Sequence, residues 1–87
     1  MKITVVGSHL CPDTLYALTR LVEAGKDIEF KNISASLPDL KVYLGLRESE
    51  PMYEKVKANG GIGIPCFILE DGTKTLDLKD VLNRETI

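Results

Sequence analysis

Between an apolar run, Ile3-Thr4-Val5-Val6-Gly7, and a stretch of helical spacing that opens at Pro12 lies only the turn Ser8-His9-Leu10-Cys11. A buried strand that passes to a helix through so short a turn, with another alternating run after it, predicts a βαβ unit with parallel strands. The helix reads from Pro12 to Ala24, with Leu15, Leu18, Leu21 and Val22 on one stripe and Gly25 as its stop. Pro12 suits the first turn, where its missing N–H has no intrahelical partner and its fixed φ favours helix entry. Lys26 through Ile33 alternates, with Ile28, Phe30 and Ile33 apolar, and reads as the second strand.

Ser34 to Asp39 carries a serine cap and an early proline, and Leu40, Tyr43 and Leu44 continue at helical spacing to about Arg47. Ser49-Glu50-Pro51 repeats the start signal for a brief helix bearing Met52, Tyr53 and Val56, which Asn59-Gly60-Gly61 ends as a flexible exit. Ile64 to Leu69 predicts a strand, Asp71-Gly72 a two-residue hairpin, Thr73 to Leu76 its partner strand, and Asp77 to about Asn83 a last helix. The expected architecture is α/β, one domain over residues 1–87, with a four-stranded mixed sheet flanked by helices and a right-handed first crossover.

Cys11-Pro12-Asp13-Thr14 carries the chemistry. A helix N-terminus leaves its first N–H groups unpaired and bears partial positive charge, and both favour a thiolate. Cysteines so placed titrate at about 3.5–7.5 rather than about 8.5, which makes Cys11 a candidate nucleophile at neutral pH. Asp13 opposes this by like-charge repulsion, but solvent screening is expected to leave the helix terminus dominant. Cys66, opening an apolar strand, reads as a core residue. A resolving partnership with Cys11 is the alternative, and would need Cα atoms within about 7 Å. Tyr16, Tyr43 and Tyr53 read as half-buried packing groups on helices.

The cysteine motif after the first strand, its βαβ context and Gly63-Ile64-Pro65 before the third strand together resemble the glutaredoxin branch of the thioredoxin fold, over nearly the whole chain. The resemblance implies a cis-proline at Pro65, a substrate contact at Ile64, Cys11 as nucleophile, and glutathione or protein disulfides as partners, with no tightly bound cofactor. Thr14 stands where the family's second cysteine would be. A hydroxyl there can hydrogen-bond the thiolate but cannot close a disulfide, so the motif is monothiol. Pro12 at the motif, and residues 8–10 and 59–62, are expected near the mouth of the site.

The pattern departs from the family in three places. Ser8 stands where a lysine is usual, with His9 beside it as either a source of partial positive charge or a solvated loop residue. Gly60-Gly61-Ile62 replaces a cation or amide, and Leu76-Asp77-Leu78-Lys79 replaces a Gly-Gly turn, leaving Asp77 to cap the last helix and face a ligand's amino group. Each lost charge-assisted bond is worth about 1.5–3 kcal/mol, tenfold or more in affinity, so weak glutathione use is expected. The alternatives are a glutathione-dependent iron–sulfur carrier, disfavoured by Pro12 and Asp13 beside the sulfur, and a non-catalytic module that docks an extended peptide.

Formal net charge is -2 with scattered basic residues, which argues against nucleic acid and membrane partners. Neither cysteine lies at metal-ligand spacing with His9, so no metal is expected. Met1-Lys2 leads directly into the first strand without a signal-peptide pattern, and a cytoplasmic monomer is the expectation.

Overall fold

The computed structural model describes residues 2–83; Met1 and residues 84–87 lie outside the described residues. The chain runs β1 (Lys2–Gly7), α1 (Pro12–Glu23), β2 (Asp27–Asn32), α2 (Leu37–Ser49), a 3-10 turn (Pro51–Tyr53), α3 (Glu54–Ala58), β3 (Cys66–Leu69), β4 (Lys74–Thr75) and α4 (Leu78–Asn83). The sheet is four-stranded in the order β2-β1-β3-β4, with β1 parallel to β2 and β3 antiparallel to both β1 and β4. The expected α/β architecture, a mixed sheet flanked by helices, is present. Among the described residues no helix is long and apolar enough to cross a membrane.

Strand alternation sorts the core into two layers. Ile3 and Val5 of β1 and Phe67 and Leu69 of β3 face one side, where Ala17 and Leu21 of α1 and Val81 of α4 cover them. Val6 and Cys66 face the other, against Tyr43 and Leu46 of α2 and Tyr53. β1 is therefore buried on both faces, as the central strand of a sandwiched sheet must be.

Three details differ from the sequence reading. The buried face of α1 is Thr14, Ala17 and Leu21 with Leu18 at its margin, while Leu15 and Val22 are exposed. The helix is turned that way because Thr14 packs on Gly7, where a Cβ would sit 2.5 Å from the Thr14 hydroxyl oxygen. β3 starts at Cys66 rather than Ile64, since Pro65 has no N–H to give a ladder. The β3–β4 loop holds Glu70, Asp71 and Gly72 instead of two residues. Leu69 N–H donates to Thr73 O at 2.8 Å, Gly72 N–H donates to Leu69 O at 2.9 Å, and Gly72 takes φ 90°. That is a type I turn closed by a left-handed glycine, a common three-residue hairpin.

The caps follow the sequence. Ser36 accepts the Asp39 N–H at 3.3 Å at the start of α2, and Asp77 accepts the Lys79 N–H at 2.9 Å at the start of α4.

Candidate functional site

The site forms where β1 ends and α1 begins. Cys11 is the N-cap of α1, with extended backbone (φ -99°, ψ 119°) and Pro12 next to it at the first helical position. Its turn is closed internally. The Cys11 N–H donates to Ser8 O at 3.0 Å, and the Leu10 N–H donates to Ser8 Oγ at 3.0 Å. Ser8 is buried, and its hydroxyl shares a hydrogen bond with that of Ser34 after β2. Parallel pairing brings Ser34 there, since Gly7 lies opposite Asn32 and the Ile33 N–H donates to Gly7 O at 2.8 Å.

Cys11 is partly exposed and opens into a cavity of about 580 Å³, within the size range of small-molecule sites. Ser8 and Leu10 line it from the same turn, Ile33 and Ser34 from the end of β2, and Ile62, Gly63 and Ile64 from the segment before β3. That segment is tied down from behind. The Tyr43 hydroxyl donates to Ile62 O, Arg47 Nη1 donates to Gly61 O at 2.7 Å and Ile62 O at 3.3 Å, and the Tyr53 hydroxyl donates to Gly63 O at 2.7 Å. Gly63 has φ 78°, and a Cβ there would meet Tyr53 Cε1 at 2.5 Å, so no other residue fits without displacement. The Ile64–Pro65 peptide bond is cis.

A second cavity of about 380 Å³ lies on the other side of Ile64, which lines both. Pro65 and Asp77 line this second one together with Asp13, Tyr16, Arg20 and Lys79. Arg20 donates to the Tyr16 hydroxyl at 2.9 Å, with its guanidinium carbon 5.8 Å from the ring centre.

Of the residues singled out from sequence, Cys11 and Ile64 meet in the first cavity, and Ile64, Pro65 and Asp77 in the second. Thr14, Pro12 and His9 line neither. Thr14 is fully buried, and its hydroxyl accepts the Ser8 N–H at 3.3 Å, bracing the turn that carries Cys11. Pro12 is exposed at the start of α1. His9 is exposed and held by Asn32, whose amide oxygen accepts the N–H of His9 at 3.4 Å and of Ser34 at 3.1 Å. That sets Asn32 Nδ2 2.9 Å from His9 Nδ1, within hydrogen-bond distance.

No family model matches the chain, and no solved structure matches it. A protein of Haemophilus influenzae, described as an uncharacterized protein, is 41% identical over 71 residues, covering 82% of this chain and 83% of the relative. The chain belongs to the family of that protein.

Cys66 lines neither cavity. It is fully buried beside Tyr53, and both thiols are free. Burial pushes the Cys66 thiol up, offset in part by the neighbouring Tyr53 hydroxyl. Burial also pushes Tyr53 well above the ordinary tyrosine range, with the nearby Cys66 adding to the shift. Both groups therefore stay protonated at neutral pH and serve packing. Among the described residues no group of three or more His, Cys, Asp or Glu side chains is placed to hold a metal ion.

Sequence reasoning left out Ile33 and Ser34, Tyr16 and Arg20, and Lys79. The signals were there. Parallel pairing puts the residues after β2 beside the turn after β1, and Asp13, Tyr16 and Arg20 fall at i, i+3 and i+7 on one face of α1.

Proposed function

We propose that this chain is a thiol–disulfide oxidoreductase of monothiol glutaredoxin type with a thioredoxin-like fold, a cytoplasmic monomer acting through Cys11. The observation that supports it best is the position of Cys11: it is the N-cap of α1 and opens into a cavity whose wall includes Ile64, next to Pro65. The Cys11 sulfur makes no cap hydrogen bond as the thiol, but it stands at the positive end of α1, beside the N–H groups that have no partner within the helix. A thiolate is a better acceptor than a thiol, so the position favours the reactive form.

The reaction is exchange. The Cys11 thiolate attacks one sulfur of a substrate disulfide, a new S–S bond forms as the old one breaks, and the departing sulfur carries away the electron pair and takes a proton from water. An external thiolate, glutathione or another low-mass thiol, then attacks the substrate-derived sulfur. Cys11 returns as a thiolate, and the substrate sulfur leaves joined to that thiol. No second cysteine stands in the motif to resolve the intermediate, so it persists until an external thiol arrives.

The test is incubation with bis(2-hydroxyethyl) disulfide followed by intact-mass measurement and peptide mapping. Wild-type protein forms a mixed disulfide at Cys11 that glutathione reverses, and Cys11→Ser forms none. Equal turnover by Cys11→Ser would overturn the proposal.

A further inference from the structure

Resting on the reading of Cys11 as nucleophile, the geometry points to a substrate class: we infer that the substrate is a peptide or protein disulfide bearing an aliphatic residue next to its reacting cysteine, not glutathione disulfide. Three observations carry this. None of the residues lining the Cys11 cavity is a lysine, arginine or histidine, and Leu10, Ile33, Ile62 and Ile64 give it four aliphatic side chains. A ligand carboxylate there would lose water without gaining a cation.

Next, Leu10 and Ile62 flank Cys11 in that wall and are 73% and 59% exposed. Two large apolar side chains held in water on either side of a nucleophile are stabilised when a partner's aliphatic group covers them. Arg47, whose guanidinium reaches the loop, is already committed to the Gly61 and Ile62 carbonyls, and Lys57, nearer in sequence, pairs with Glu54 and does not line the cavity.

Finally, Ile64 forms a shared wall with the second cavity, which carries charges of both signs in Asp13, Arg20, Asp77 and Lys79. A chain crossing Ile64 thus meets an uncharged wall on the Cys11 side and, on the other, a wall that mixes those charges with Phe67, Leu76, Leu78 and Leu82. An extended peptide satisfies both at once. Glutathione has an ionised group at each end, and the Cys11 side offers neither of them a charged partner.

The experiment uses Cys66→Ala protein, so that only Cys11 reacts, with three disulfides: the symmetric dimers of Ac-Leu-Cys-Leu-NH2 and Ac-Gln-Cys-Gln-NH2, and glutathione disulfide. Mixed-disulfide formation is timed by quenched intact-mass measurement, and each rate is divided by that of free N-acetylcysteine with the same disulfide. Burying one aliphatic side chain is worth about 1.5–3 kcal/mol, so the leucine peptide is expected to react about tenfold or more faster than the other two. Ile62→Lys, altering an exposed side chain, should cut that preference severalfold and raise the glutathione disulfide rate. Equal normalised rates for the leucine and glutamine peptides, or glutathione disulfide reacting fastest, would overturn the inference while leaving Cys11 an activated nucleophile. Normalised rates no higher than one with every disulfide would overturn both.

Discussion

At the scale of single residues, Thr14 and Gly63 do more positioning than chemistry. Thr14 accepts the Ser8 N–H beneath the Cys11 turn, and Thr14→Val keeps the shape while leaving that buried donor without its acceptor. A loss of about 1–3 kcal/mol in urea unfolding is expected, and Thr14→Ser should recover part of it. Unchanged stability in Thr14→Val, with Cys11 reactivity collapsing, would mean that the hydroxyl serves the thiolate directly instead. Gly63→Ala combines a left-handed φ with a clash against the Tyr53 ring, so about 2 kcal/mol or more of destabilisation is expected by thermal melting. A melting temperature within a degree of wild type would contradict the packing described for that loop.

At the scale of elements, the segment before β3 is fixed by α2 and the 3-10 turn rather than by its own sequence. Arg47→Ala removes the donor to the Gly61 and Ile62 carbonyls, and faster amide exchange confined to residues 60–64 is the expected outcome. Exchange unaltered there would show that Tyr43 and Tyr53 hold the loop alone. The same element shows where sequence reasoning stops. Alternation in Ile3, Val5 and Val6 made the central strand legible, because period two maps directly onto two buried faces. The apolar pattern of α1 points to Leu15 and Val22 as buried, yet both are exposed, because Gly7 admits the Thr14 side of the helix at close range. Helix-start chemistry points to Cys11 and cap chemistry to Asp77, whereas Ile64 and Pro65 enter only through the glutaredoxin resemblance; the structure places Cys11 and Ile64 in one cavity and Ile64, Pro65 and Asp77 in the other. Ile33 and Ser34 were not legible, because they reach the cavity only through strand register, a long-range property that local patterns do not encode.

At the scale of the whole molecule, the buried pair of Tyr53 and Cys66 sets the alkaline limit of the fold. Their native hydroxyl and thiol hold protons that the unfolded chain gives up above about pH 10 for tyrosine and about pH 8.5 for cysteine. The unfolded state thus binds fewer protons at high pH, and stability must fall as pH rises past about 8.5. Below that pH both states hold these protons and the pair adds no pH dependence. Urea titrations from pH 7.5 to 10.5 should show this decline. Cys66→Ala should flatten its lower part and Tyr53→Phe its upper part; identical slopes in both variants would place the dependence elsewhere.

The measurement that bears most directly on the central claim is the rate of Cys11 alkylation by iodoacetamide at pH 6.5 in Cys66→Ala protein, set against free N-acetylcysteine under the same conditions. A nucleophile at the N-cap of α1 should react about fivefold or more faster than the free thiol, the gain in thiolate outweighing its lower intrinsic nucleophilicity. A rate equal to or below that of the free thiol would mean that the helix terminus does not activate Cys11, and would leave the fold without its proposed chemistry.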